Sequence, residues 1–253
     1  MRVKLLLTIM VFGLFIVWAE NANAPNVYRV AVGDEYPPFS VLNREDNQIE
    51  GLSVDIMRAI CKKMDAECEF ARLDYHDAFE ALKNGEIDII CYGSGLRMDI
   101  SSMLLNTEKF LNSSSVFVGL RGAVKGINRD DLKGKRVGVV KKSLQDWYVG
   151  MNYQKDVIEH EYDNFQDIMT SLALEDIDLG FVDIMAFFYY IQGDKSMNFD
   201  IFGPPFNLGD GGFLMIRKNQ TKLLDKLNKA ILAVRYSSEF ETINAKYFDF
   251  FIF

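Results

Sequence analysis

The chain is poor in the residues that build metal centres and nucleic-acid surfaces. It has two histidines and three cysteines in 253 residues, which leaves little material for a zinc site. No block of five or six basic residues occurs, and 28 Lys and Arg stand against 36 Asp and Glu, a net charge of −8. That balance excludes nucleic acid and anionic membrane surfaces as natural partners. Only five prolines and no low-complexity tract are present, which sets aside collagen-like and disordered chains. What remains is 49% hydrophobic, 25% charged and 13% aromatic, a composition suited to one large domain or two lobes of about 100 residues each.

The longest apolar run, Leu5 to Trp18, follows Arg2 and Lys4 and gives way to small and polar residues from Ala19 to Ala24. It is short of the ~20 residues that span a bilayer. The order of positive, apolar and small residues describes a secretory signal peptide over residues 1–24, with cleavage after Ala19, Ala22 or Ala24. An uncleaved anchor is the alternative. No cysteine lies near the cut, so a lipid anchor is not expected. Export changes how the cysteines read: Cys61 and Cys68, at the end of one helix and the start of the next strand, are expected to form a disulfide. Closing so short a loop contributes about 2–3 kcal/mol in the chain-entropy account. Cys91 falls inside an apolar strand and reads as a buried core residue.

Strand-like and helix-like segments then alternate. Val27 to Val32 predicts a strand, and Ser53 to Met64 a helix capped by Ser53. Cys68 to Arg72 reads as a strand, His76 to Asn84 as a helix closed by Gly85, and Ile87 to Tyr92 as a buried strand. The pattern restarts in the second half. Arg29-Val-Ala-Val is echoed by Arg136-Val-Gly-Val, and the segment from Phe79 through Ile87-Asp-Ile by the segment from Met169 through Ile177-Asp-Leu. Two echoes in the same order predict two similar α/β lobes. Residues 25–114 with 209–253 form the first and 115–208 the second, with a loop at Gly203-Pro-Pro. A cleft between such lobes is a place for a small ligand.

The residues also carry a resemblance. Tyr36-Pro-Pro-Phe, Gly51-Leu-Ser-Val-Asp-Ile, the Cys61 and Cys68 spacing, Asn84-Gly-Glu-Ile-Asp, Leu132-Lys-Gly-Lys-Arg-Val-Gly-Val, Phe181-Val-Asp and Ala245-Lys-Tyr-Phe-Asp-Phe occur in this order. As a set the chain resembles the periplasmic solute-binding proteins of polar amino-acid ABC transporters, family 3, near the histidine and lysine/arginine/ornithine binders. The resemblance implies a type II periplasmic-binding-protein fold, two α/β lobes hinged by two crossing strands. It implies a periplasmic monomer without a cofactor that binds a small polar metabolite for an inner-membrane ABC permease.

It also implies a site. Tyr36 holds the place of the family's ligand-covering aromatic, with Phe39 beside it, although a Tyr-Pro-Pro-Phe turn also serves simply to bury a ring. Tyr75 holds the place of a second packing side chain. Asp183, after the apolar strand Asp178 to Val182, matches the acceptor of the ligand ammonium and would equally cap the following helix. Ser143 starts a helix whose free N–H groups suit an anion, with Lys141 and Lys142 beside it. Tyr92 ends the Ile87 strand and narrows that side of the pocket, and Gly93 and Ser94 follow it. Here the chain departs from the family: Ile100 stands where an arginine grips the ligand carboxylate, and Arg97 lies three residues earlier, about one helical turn away. Isoleucine cannot replace a bidentate arginine. Either Arg97 substitutes, or the ligand is not an ordinary α-amino acid. Two other readings stay open. One is a sensor that reports ligand without transport. The other is a cleft enzyme of the cyclohexadienyl dehydratase kind, for which Glu108, Asp183, His76 and the solvated His160 are the available acid–base groups.

Overall fold

The computed structural model describes residues 26–33, 35–92, 103–193, 198–209 and 211–252. The leader therefore lies outside the described residues. The first lobe begins with β1 (Asn26–Val32), the small hairpin β2 (Val41–Asn43) and β3 (Gln48–Glu50), α1 (Leu52–Lys63), β4 (Ala66–Arg72), α2 (Tyr75–Asn84), β5 (Ile89–Cys91) and β6 (Leu104–Leu111). The second lobe comprises β7 (Ser115–Leu120), α3 (Arg129–Leu132), β8 (Arg136–Val140), α4 (Leu144–Tyr153), β9 (Ile158–Tyr162), α5 (Phe165–Ala173), β10 (Leu179–Asp183), α6 (Ile184–Gly193) and β11 (Phe199–Phe206). Then follow β12 (Gly212–Arg217), α7 (Thr221–Arg235) and α8 (Ser238–Tyr247).

Two five-stranded sheets result, ordered β4-β1-β5-β12-β6 and β11-β7-β10-β8-β9. In each, three strands run parallel, β4-β1-β5 in one and β9-β8-β10 in the other, and antiparallel strands complete the sheet. The chain passes from one sheet to the other between Leu111 and Ser115 and returns between Phe206 and Gly212. These passages are the two crossings of the expected two-lobed architecture.

The sequence echo has a structural counterpart. The Arg29 amide donates to Asp88 Oδ2 at 3.0 Å, and its guanidinium donates to Asp88 Oδ1 at 3.1 Å and to the Gly85 carbonyl at 2.7 Å. In the second lobe the Arg136 amide reaches Asp178 Oδ2 at 2.8 Å, and its guanidinium reaches Oδ1 at 3.0 Å and the Asp176 carbonyl at 2.7 Å. Each clamp locks the turn before a central parallel strand onto its neighbour. Burial alone would raise both carboxyls, but the arginine hydrogen bonds outweigh it and hold them below the ordinary range.

Three local expectations are corrected. Ser53 does not cap α1. The N-cap is Gly51, and the first amides of the helix, on Leu52 and Ser53, donate instead to the Pro38 and Phe39 carbonyls at 2.7 and 3.1 Å. The buried strand after α2 is shorter than Ile87 to Tyr92, since Asp88 is held by its clamp and the Tyr92 hydroxyl turns to the Leu73 carbonyl. Gly203-Pro-Pro is part of β11 rather than a loop, at a register irregularity. β11 is an edge strand, where prolines forfeit no ladder bond. The Cys61–Cys68 disulfide is formed, joining the last turn of α1 to β4 with Cα atoms 6.2 Å apart. Cys91 is a free, buried thiol, as expected.

Candidate functional site

A cavity of about 360 Å³ opens between the lobes, walled by the loop after β1 and by the C-terminal ends of β5, β8, β9 and β10. Placing functional groups at strand C-termini follows from the α/β build, because the connections there face the cleft.

On the first wall, Tyr36 sits in a tight loop. Its carbonyl accepts the Phe39 and Ser40 amides at 2.8 and 3.1 Å, its own amide donates to the Ser40 carbonyl at 2.8 Å, and the Pro37–Pro38 bond is cis. The Ser40 hydroxyl ties the loop back to the Gly33 carbonyl at 2.7 Å. Phe39 is 1% exposed and stacks under Tyr36, ring centroids 5.2 Å apart. It thus supports the Tyr36 ring while its edge reaches the cavity. The Tyr92 hydroxyl lies within hydrogen-bond distance of the Leu73 and Asp74 carbonyls, at 2.8 and 3.0 Å, so its ring forms wall while its polar end is occupied. Tyr75 opens α2 directly after Asp74, and its side chain is outside what is described. Gly93, Ser94, Arg97 and Ile100 lie outside the described residues.

On the second wall, Asp183 is the central group. It is 1% exposed at the end of β10 and also caps α6, its Oδ1 accepting the Met185 and Ala186 amides at 2.8 and 3.2 Å. Ser113 donates its hydroxyl to Oδ2. Burial pushes the carboxyl up to about 6, and those three donors restrain the rise. Across the cleft the Tyr36 phenol is raised well above its usual range by burial and by the negative charge of Asp183. Ser143 caps α4 by accepting the Asp146 amide at 3.1 Å. The Lys141 ammonium pairs with Asp163, which raises it, while Lys142 is exposed.

Of the expected residues, the described geometry brings Tyr36, Phe39, Tyr92, Ser143 and Asp183 to one cavity. His76 lies at its rim with a largely exposed ring. Glu108 is exposed on β6, and His160, expected in solvent, is half-buried on β9; neither lines the cavity. Sequence reasoning missed Asp74, Gln145, Asp163 and Phe165. Asp74 and Asp163 could have been found, since Asp74 is itself the helix-start signal of α2 and Asp163 directly precedes that of α5, Asn164, each after a strand. Gln145, which donates to the Ser115 hydroxyl at 3.0 Å, offers no such signal. The arrangement is aromatic and acidic, with Glu35, Asp74, Asp163 and Asp183 against Lys141 and Lys142. Such a site suits a small ligand that carries an ammonium group.

Residues 28–250 match the model of the bacterial extracellular solute-binding proteins, family 3. The chain belongs to that family. Among its relatives is the Escherichia coli (strain K12) putative ABC transporter arginine-binding protein 2, 29% identical over 90% of this chain and 93% of the relative. The probable histidine-binding protein of Neisseria gonorrhoeae is 29% identical over 91% and 86% of the two chains. An ancestral arginine-binding protein bound to arginine superposes with a TM-score of 0.76 at 25% identity, covering 88% of this chain and 98% of that one. As a family 3 member the chain has a solute-binding role, and its matched relatives are named as binding proteins. Among the described residues no helix is long and apolar enough to cross a membrane.

Proposed function

We propose that this family 3 chain captures an amino acid or amino-acid-like compound in the interlobe cleft and delivers it, as a periplasmic monomer, to an inner-membrane ABC permease. The observation that carries the reading is Asp183, a carboxylate buried on the cleft floor opposite the Tyr36 phenol. It accepts the ligand ammonium. Tyr36, Phe39 and Tyr92 wall the ligand, and the N-terminus of α4 at Ser143 faces its carboxylate; Tyr75, Gly93, Ser94 and Arg97, which the family resemblance assigns to the site, complete the proposed ligand contacts. Relatives named for arginine and histidine support an amino-acid ligand.

The test is a thermal-shift screen of the mature protein against the common amino acids, amines, dicarboxylates and cyclic acids. A ligand at 1,000 times its Kd stabilises by about 4 kcal/mol, which is about 10 °C here. A shift with one or a few amino acids is the expected result. Silence across all of them, with a response to another class, would overturn the amino-acid reading.

A further inference from the structure

Among the described residues three donors serve Asp183, and they come from two different parts of the molecule. The Met185 and Ala186 amides belong to α6 and both serve Oδ1. Among the described residues, Oδ2 receives the Ser113 hydroxyl, from the short passage that links β6 to β7. The neighbouring Ser114 joins that passage to its surroundings. Its hydroxyl donates to Asn207 Oδ1, on the return passage, at 2.8 Å, and its carbonyl accepts the Ile184 amide, at the root of α6, at 2.9 Å. The carboxylate that faces the cleft is therefore hydrogen-bonded to a strand crossing between the lobes.

We propose that Ser113 is a positioning residue of the binding site, holding the Asp183 carboxylate ionised and oriented for a ligand ammonium group. The inference rests on the reading of Asp183 as the ammonium acceptor. A buried carboxylate that loses a donor on one oxygen favours its protonated form, and a neutral acid holds an ammonium group only weakly.

Among the described residues, the elements packed around Asp183 leave few other groups to set its charge; α5, which also packs on β10, carries only Asp167, exposed in its first turn. α6 contains no Asp, Glu, Lys, Arg or His, and neither does β7. In β8 the one charged residue, Arg136, is held at the far end by Asp178. Tyr36 faces the carboxylate from the other lobe. Lys141, Lys142, Asp163, Glu35, Asp74 and His76 line the same cavity. Loss of the Ser113 hydroxyl is thus expected to act on the Asp183 titration itself.

The experiment compares S113A and S113T with the unaltered protein. Carboxyl carbon NMR follows the Asp183 midpoint without ligand, and calorimetry follows L-arginine affinity from pH 5 to 8. S113A is expected to raise the midpoint by roughly one pH unit, while S113T, which keeps the hydroxyl, stays near the original. L-arginine binding to S113A then weakens roughly fivefold at pH 6 and converges with the unaltered protein by pH 8. A purely structural defect would not recover at high pH. An unmoved midpoint in S113A overturns the proposal, as does a binding deficit of equal size at every pH. If L-arginine does not bind the unaltered protein, arginine is struck from the candidate ligands separately, and the midpoint comparison alone decides for or against Ser113.

Discussion

Asp183 is the residue at which stability and binding oppose each other. Its folded carboxyl is pushed up to about 6 by burial, against an ordinary value near 4. The folded chain therefore holds the proton more readily than the unfolded one. That contribution to stability is complete below about pH 4 and is lost as the pH rises through about 6. Above that range the ionised carboxylate lowers stability by up to about 3 kcal/mol. Asp183→Asn retains an oxygen for the Met185 and Ala186 amides but carries no charge. Calorimetric unfolding at pH 7.5 is expected to show a Tm several degrees above the unaltered protein, with a flatter pH dependence between pH 4 and 6, and no shift with the screened ligand. A Tm below the unaltered protein at pH 7.5 would show that the ion is a net stabiliser, contrary to this account. The position of Asp183 was legible in the sequence, because a carboxylate between an apolar strand and a helix has few places to go. Its Ser113 partner was not, being 70 positions away on a segment with no motif.

At the scale of elements, α1 shows how the cleft wall is anchored. The helix starts against the Tyr36 loop, with Gly51 at a φ of 136° between them. A Cβ built at Gly51 would lie 2.3 Å from the Phe39 carbonyl oxygen and 2.9 Å from that of Pro38. Both the left-handed φ and the contact with backbone forbid a side chain there. Gly51→Ala is expected to destabilise by about 2–4 kcal/mol in denaturant unfolding and to weaken the ligand-induced thermal shift by moving the Tyr36 loop. Ser53→Ala provides the contrast. The Ser53 hydroxyl is buried without a partner among the described residues, so its loss should leave stability within about 0.5 kcal/mol or raise it, where loss of a true cap costs about 1. Equal destabilisation by the two substitutions would refute this picture. The alternation of strands and helices was legible because apolar periodicity reports local burial. The Ser53 assignment failed because capping propensity is local, while the carbonyls that serve α1 arrive from the Pro38–Phe39 turn, across the intervening β2–β3 hairpin.

At the scale of the whole molecule, the lobes are joined by more than their two strand passages. The segment after α8 lies between α8 of the first lobe and α6 of the second. Phe250 packs edge-on to Phe188 at 5.3 Å and Phe248 to Tyr189 at 6.5 Å, both partners on α6, while Phe251 packs on Phe240 of α8 at 5.8 Å. Asn244, buried in α8, fastens this segment by donating to the Phe250 carbonyl at 2.7 Å and accepting the Ile252 amide at 3.1 Å. The duplication into two lobes could be read from the Arg29 and Arg136 echoes, since each lobe repeats one local device. Contacts between the lobes have no repeat and so leave no periodic trace. Phe248 and Ile252 are nearly fully buried, and removing their apolar surface should lower stability by about 3–5 kcal/mol. Truncation after Tyr247 is therefore expected to lower the Tm by about 10 °C. Asn244→Ala, which leaves the aromatic rings in place but unfastens the backbone, should lose about 1–3 kcal/mol. Because the segment touches α6 and α8 together, its loss should destabilise both lobes rather than the first alone. Hydrogen exchange can separate the two outcomes: faster exchange in α6 as well as α8 supports a bridge between lobes, whereas an effect confined to α7 and α8 would show that the aromatic contacts to Phe188 and Tyr189 add nothing to the fold.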